Sequence, residues 1–354
     1  MNIIITVATL ASGSGLSRYV FSLCRILKPG NEVLLIETHA KGKSPYTISE
    51  LAKIDGNIQY IATGGNGKIA NYINNIRLLW NFKADVLISN FNGLTQFILP
   101  FKRRKTKVLH ILHNDAPEFY KIASINGRYV DAWIAPTKGI RDHYNDFTNG
   151  KYLNKIKVVA HGVEAPETIP TKGSDTLEIT FAGIVDQHKG ILIMPDIVRR
   201  LNDKGIKFHL TIIGGGGRAN WLREELAEEF KAGTITMTGV IEHEKVYDYM
   251  SKADIFLYPT HLDAFGLVIA EAMINGAVPI VTLLPGITDN LVADGEYGFL
   301  VTRDDVDRFV SHIEQLANNR KMLQDFSRKS RACALDRFSL EVMGRNYRNL
   351  IDSL

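Results

Sequence analysis

The sequence predicts an α/β protein built as two doubly wound, parallel-sheet halves, and three observations carry that expectation. Short apolar runs of strand length alternate with longer segments whose apolar residues recur at helical spacing. The rhythm stops at residues 164–175, where Pro166, Pro170 and Gly173 stand among small polar residues, and then it restarts. With 354 residues, the chain is also too long for one ordinary hydrophobic core.

The elements follow in order. In the first half, residues 1–163, buried strands are expected at 3–8, 32–37, 86–89, 108–112 and 132–136, with amphipathic helices at 16–27 and 69–82 among the segments between them. Residues 164–175 read as an interdomain linker. The second half, residues 176–338, repeats the pattern with strands at 177–182, 207–213, 234–238, 255–258, 278–282 and 298–301. A last helix, 339–354, carries Val342, Tyr347, Leu350 and Ile351 near one face and must pack on a domain already built. Two such halves imply a cleft in which a ligand meets the carboxyl ends of both sheets.

Composition narrows the class. A hydrophobic fraction of 45% with 23% charged residues is the balance of a globular protein, and no run approaches the roughly 18 apolar residues of a spanning helix. The opening residues lack the basic leader of a secretory signal and read as a strand. Cys24 and Cys333 alone suggest neither a disulfide framework nor a zinc cluster, so a reducing, cytoplasmic location is expected. The net charge of +4 is modest, and nucleic acid is not an expected partner. Lys102, Arg103, Arg104, Lys105 and Lys107 nevertheless form a local cationic patch, suited to anionic lipid at the inner face of the plasma membrane or to a phosphorylated acceptor. A solvated loop ahead of a strand explains the same run.

Several segments can carry chemistry. Ser12-Gly13-Ser14-Gly15 follows the first strand and opens a helix, an arrangement that turns backbone N–H groups toward an anion or simply makes a tight turn. A dinucleotide fingerprint needs a small residue where Arg18 stands. A second cluster, Gly214 to Gly217, follows the strand 207–213, but no acidic residue ends the next strand. The most informative stretch is 258–273. Asp263 precedes a helix expected to begin near Phe265, and Glu271 is expected about two turns inside it, a separation of roughly 12 Å at the helical rise. That gap matches a diphosphate. One carboxylate then accepts from sugar hydroxyls and the other from ribose, while the amides near Phe265, Gly266 and Leu267 face the phosphates. The plain alternative is a capping Asp263 with a solvated Glu271.

The passage 260–301 resembles the donor-site signature of glycosyltransferase family 4. The matching residues are Asp263-x7-Glu271 enclosing Ala264-Phe265-Gly266-Leu267, then Gly276-Ala277-Val278-Pro279-Ile280-Val281, then Asp294-Gly295-Glu296-Tyr297-Gly298-Phe299-Leu300-Val301. Phe181-Ala182-Gly183 with Lys189-Gly190 is similar to an upstream family element, 158–163 to its interdomain segment, and Phe338-Ser339 with the final helix to its terminal segment. The resemblance implies the GT-B fold, two Rossmann-like domains facing each other across a cleft, with the last helix crossing back to the first. It also implies a retaining transfer from a nucleoside diphosphate sugar to a glycan or lipid-linked acceptor, as in cell-surface polysaccharide or glycoconjugate synthesis. On this reading Asp263, Lys189 and His113 are catalytic, and Gly13, Gly15, Gly183, His188, Phe265, Gly266, Leu267 and Glu271 bind the donor.

Two departures from the pattern stand out. Ile184 occupies the place of the arginine that pairs with the lysine on the diphosphate, where His188 substitutes in part, and Asp263 replaces a glutamate. His113 resembles a histidine held near the transferred sugar; a core histidine explains it equally well, and His110 is read as structural. No Asp-x-Asp pair ends a strand, and Asp304-Asp305 lies at a helix entry, so neither metal nor other cofactor is expected. The alternatives are a non-catalytic nucleotide-sugar-binding subunit and a nucleotide-sugar epimerase.

Overall fold

The computed structural model describes residues 1–54, 57–64, 67–169 and 173–354. Pro170, within the expected linker, lies outside the described residues. The chain divides into two compact units, residues 1–162 with 340–354, and residues 163–339.

The first unit is a seven-stranded parallel sheet. Its strands are β1 (Asn2–Val7), β2 (Glu32–Glu37), β3 (Gln59–Ala62), β4 (Val86–Asn90), β5 (Lys107–Ile111), β6 (Ala132–Ala135) and β7 (Ile156–Val158), in the order β3-β2-β1-β4-β5-β6-β7. Ile3, Ile5, Leu35, Ile88, Leu109 and Ile134 from the central strands are sealed in the core, which is why these strands read as continuous apolar runs. β3 and β7, absent from the expected set, are the two edges. Gln59 and Lys157 point to solvent there, and an edge strand has too few buried positions to leave an apolar signature.

The last helix, Leu340–Asp352, packs on helix Gly15–Leu27 and places Met343, Tyr347 and Ile351 in the first unit's core. The Tyr19 and Tyr347 hydroxyls share a hydrogen bond, and the Gly162 amide donates to Met343 Sδ at 3.0 Å.

Helix Lys68–Asn81 forms where an amphipathic helix is expected, but it turns much of its apolar face outward. Its buried residues are Asn71, Asn75 and Leu79, whereas Ile69, Ile73 and Trp80 are exposed. Asn71 Nδ2 donates to the Thr38 carbonyl at 2.8 Å and Asn75 Nδ2 to Thr63 Oγ1 at 3.0 Å. The asparagines thus satisfy polar groups just past the ends of β2 and β3, which an apolar side chain would leave unpaired.

The second unit holds six parallel strands: β8 (Leu177–Ala182), β9 (Phe208–Ile213), β10 (Ile235–Gly239), β11 (Ile255–Tyr258), β12 (Val278–Thr282) and β13 (Phe299–Val301). Their order is β10-β9-β8-β11-β12-β13. In both units the first and fourth strands are neighbours whose connections leave to opposite sides, the topological switch point at which doubly wound sheets bind ligands. Helix Arg320–Phe338 covers helix Leu267–Ile274, and its Arg331 donates to the Pro166 carbonyl at 2.9 Å. Among the described residues no helix is long and apolar enough to cross a membrane.

Candidate functional site

In the second unit the loops after β8, β9 and β11 converge at the switch point. A Cβ on Gly214 would lie 2.0 Å from the Gly183 carbonyl oxygen, and one on Gly190 would lie 1.8 Å from that of Pro259. The three loops therefore meet backbone to backbone, at distances only glycine permits. The His261 amide donates to the His188 carbonyl at 3.0 Å, and the Val185 amide to that of Gly215 at 3.0 Å. This is the work of the second glycine cluster: it joins β9 to the Gly183 loop.

Asp263 is the hub of the assembly. Its Oδ1 accepts the amides of Ala264, Phe265 and Gly266 at 2.9, 3.3 and 2.8 Å, and its Oδ2 accepts Lys189 Nζ at 3.0 Å and the Tyr258 hydroxyl at 2.9 Å. Burial pushes this carboxyl upward, but the Lys189 cation, the Tyr258 hydroxyl and the Phe265 amide outweigh it, and the net shift is downward. Lys189 also donates to the Leu262 carbonyl at 2.9 Å and lies 5.4 Å from the centre of the Tyr258 ring.

Two sequence expectations change here. The amides assigned to the phosphates at Phe265 and Gly266 are taken by Asp263, and the Phe265 ring is buried edge-on against Phe338 at 5.8 Å. Helix Leu267–Ile274 starts later than expected, after Gly266 in the left-handed conformation, so Glu271 stands little more than one turn inside it. The uniform helical rise behind the 12 Å separation does not hold across 263–266.

Glu271 is buried, and the solvated alternative fails. His243, the first residue of helix His243–Lys252, donates from Nε2 to Glu271 Oε1 at 3.0 Å. His243 went unread in the sequence. Its available signal was position, since it opens the helix that follows β10 on the side where ligands bind. Ile184 is exposed at the loop, as is His188, whose backbone rather than ring makes the contacts with the loop after β11. Asp304 accepts from His261 Nε2 at 2.6 Å, and Asp305 caps the following helix through the Arg308 amide at 3.0 Å.

His113, Gly13 and Gly15 belong to the first unit. Gly13 makes the turn after β1 with a φ of 73°, and Gly15 begins the helix. Three amides of this stretch are satisfied internally: Leu10 by Glu37 Oε1 at 2.8 Å, Ala11 by Ser17 Oγ at 2.9 Å, and Ser14 by the Ala11 carbonyl at 3.3 Å. Glu37, where a dinucleotide-binding sheet presents its ribose acceptor, is buried and also accepts the Tyr60 hydroxyl at 2.7 Å.

His113 is half-buried just after β5, with Nε2 3.0 Å from Asn90 Oδ1. Asn90 Nδ2 donates to the Thr6 carbonyl at 3.3 Å, which turns its oxygen toward His113 and assigns the proton to Nε2. Nδ1 then carries a lone pair. Burial holds the ring well below the ordinary histidine pKa, and His161 and His110 add to the effect, so it stays neutral near pH 7. The ring packs edge-on against Tyr19 at 4.9 Å and lies 5.7 Å from His161. His110 is fully inside, bonded to Gln96 and pushed down to about 3 by burial.

Residues 167–332 match the family model described as glycosyl transferases group 1. The second unit is a glycosyl transferases group 1 domain. The chain is 26% identical over 201 residues to a 2-deoxystreptamine N-acetyl-D-glucosaminyltransferase of Niallia circulans, covering 55% of this chain and 50% of that one. It is 26% identical over 172 residues to a capsular polysaccharide biosynthesis glycosyltransferase of Staphylococcus aureus, covering 48% and 44%. The chain thus spans about half the length of the curated relatives it matches. Among solved structures, Anabaena HepE in complex with UDP and glucose superposes with a TM-score of 0.80 at 14% identity, covering all of both chains. A glycosyltransferase from Rickettsia africae gives 0.81 at 18%, covering 99% and 97%. The fold is GT-B, two Rossmann-like units. The group 1 domain contributes Gly183, Lys189, Asp263 and Glu271 on the switch-point side of its sheet.

Proposed function

We propose that this protein is a retaining glycosyltransferase whose group 1 domain binds a nucleoside diphosphate sugar and whose first unit supplies the surface for an acceptor hydroxyl on a glycan or lipid-linked glycan. The observation that carries the reading is the Lys189–Asp263 pair set among glycine-tightened loops at the switch point, with the buried Glu271 on the helix that the same loop opens. Lys189 is a cation held in place by a carboxylate, able to swing or share its charge when a diphosphate arrives and to stabilise the leaving group. Glu271, oriented by His243, offers a desolvated acceptor suited to ribose hydroxyls. Every acceptor position of Asp263 is occupied, so its part is to fix Lys189 and the loop, and a sugar hydroxyl must displace a present partner to reach it. The neutral His113, with a lone pair on Nδ1, is suited to accept from a hydroxyl rather than to protonate a leaving group. Transfer on one face, with the departing phosphate taking the acceptor proton, needs no separate base, and the reaction is expected to run without a metal.

The test is calorimetric titration of UDP, GDP, ADP and dTDP, followed by turnover of the sugar donor of whichever base binds. UDP is the first candidate because it is the nucleotide bound in the Anabaena HepE structure. Selective binding that Glu271→Ala abolishes, with sugar transfer or slow donor hydrolysis, is the expected result. Binding without either reaction replaces the transferase reading with that of a nucleotide-sugar-binding subunit, which the exposed Ile184 at the diphosphate loop favours.

A further inference from the structure

The helix Lys68–Asn81 of the first unit presents outward a surface that contains none of the candidate site residues. In Lys68–Asn81 the outward residues Ile69, Ile73 and Trp80 stand at i, i+4 and i+11, one continuous stripe, with Ile69 77% and Trp80 55% exposed. Neighbouring turns extend it. Phe101 is 57% exposed, and Trp80 Nε1 donates to its carbonyl at 2.8 Å, which fixes the indole beside that turn. Phe97 is also exposed and meets the Tyr72 ring edge-on at 6.4 Å.

Charge surrounds this patch. Between residues 67 and 114 the cations are Lys68, Arg77, Lys83, Lys102, Arg103, Arg104, Lys105 and Lys107, and the sole acid is Asp85. Two of the cations are drawn in: Lys102 Nζ donates to the Thr106 carbonyl at 2.6 Å, and Lys107 faces Asp131 at 4.0 Å. Lys68, Arg77, Arg104 and Lys105 are exposed, and among the described residues they form no ion pair.

We propose that this face is a docking surface for an anionic phospholipid bilayer. An indole and phenyl rings flanked by lysine and arginine suit the boundary between headgroups and acyl chains, where rings enter and cations meet lipid phosphates. A second copy of the same face is a poor occupant, since a two-fold contact would set this cationic surface against itself. Attachment is peripheral: the helix lies on the membrane with its stripe down while Asn71, Asn75 and Leu79 keep it bound to the sheet. Docking of this face is independent of the chemistry of the group 1 domain.

The experiment is co-sedimentation with phosphatidylcholine vesicles, with and without phosphatidylglycerol, read alongside tryptophan emission. The protein is expected to sediment only with the anionic vesicles. Binding should weaken as salt shortens the screening length from about 10 Å at 0.1 M to about 3 Å at 1 M. Arg104→Ala and Lys105→Ala should each lower partitioning about fivefold. Ile69→Ser, at a position too exposed to support the fold, should lower it with no change in melting temperature. The emission shift should vanish in Trp80→Phe, because Trp133 is buried and Trp221 lies in the other unit. Absence of phosphatidylglycerol-dependent sedimentation overturns the proposal. So does binding indifferent to both Ile69→Ser and the charge variants, or a dimer in sedimentation velocity that Ile69→Ser dissolves.

Discussion

Replacing Asp263 by asparagine tests whether the ion pair at the switch point holds the donor loop together. Asparagine keeps an oxygen for the amides of Ala264, Phe265 and Gly266 but turns an NH2 group toward Lys189 and Tyr258, where the carboxylate now accepts two donors at 3.0 and 2.9 Å. The pair is neither a surface bridge nor a sealed one, since the side chains of Lys189 and Asp263 are 16% and 18% exposed. Exposed pairs contribute at most about 1 kcal/mol and loss of one partner of a buried pair costs about 3–5 kcal/mol, so a loss of about 2–3 kcal/mol is expected. For a domain of this size that lowers the melting temperature by roughly 5–10 °C. The sign of the pH dependence follows from the shift. The carboxyl pKa is depressed in the folded state, so its contribution is complete above the unfolded value near 4 and is lost as pH falls through the lower folded value. Scanning fluorimetry of both proteins from pH 8 downward should show a constant gap to about pH 5 that narrows only in stronger acid. A melting temperature unchanged at pH 7, or a gap that varies between pH 6 and 8, refutes this account of the pair.

Other perturbations read the remaining parts of the site. Glu271→Gln should weaken nucleotide binding by tenfold or more in calorimetry, because a charge-assisted acceptor becomes neutral. His243→Ala should weaken it less, by loosening the carboxylate it orients, and equal losses would show that the histidine itself contacts the ligand. Gly214→Ala should destabilise by about 3 kcal/mol or more, since its Cβ would strike the Gly183 carbonyl, whereas Gly30→Ala, at a positive φ of 76° but with open space, should cost only about 1 kcal/mol; equal denaturation midpoints would contradict the packing argument. Nitrogen-detected NMR of His113 should show a neutral ring protonated on Nε2 from pH 6 to 8, and a titration centred near 6.5 would remove its assignment as a fixed acceptor.

What the sequence made legible was whatever depends on runs and local spacing. β2, β8, β11 and β12 fall on the expected residues because each is a buried apolar run, and the first three end at a charge, a glycine or a proline. The glycine clusters and the 258–273 stretch were legible for a related reason: a turn that only glycine can make, or a carboxylate that caps the loop beside it, is written in consecutive residues. The pairings that give the site its chemistry are not. Lys189 meets Asp263 across 74 positions, His243 meets Glu271 across 28, and His113 meets Asn90 across 23, and no local pattern encodes which strand order brings them together. The phosphate-facing amides failed for the opposite reason. They were assigned from a helix start, but an aspartate directly ahead of free N–H groups is itself the nearest anion, and it takes those of Phe265 and Gly266.

Helix Lys68–Asn81 shows where periodicity misleads. A hydrophobic stripe states that one face is apolar, and the inference that this face is buried assumes that the sheet offers it apolar partners. Here the facing groups are the Thr38 carbonyl and the Thr63 hydroxyl, just past the carboxyl ends of β2 and β3, where backbone groups have left the ladder. Asparagine at 71 and 75 satisfies them, and the two are bonded to each other at 2.7 Å. Turning the helix so that Ile69 and Ile73 faced inward would strip those groups of partners at about 1–3 kcal/mol each, comparable with the gain from burying an isoleucine side chain. The polar demand of the strand ends therefore sets the rotation of this helix. Its apolar stripe is left outward beside Arg104 and Lys105, where an anionic bilayer would satisfy both the rings and the charge.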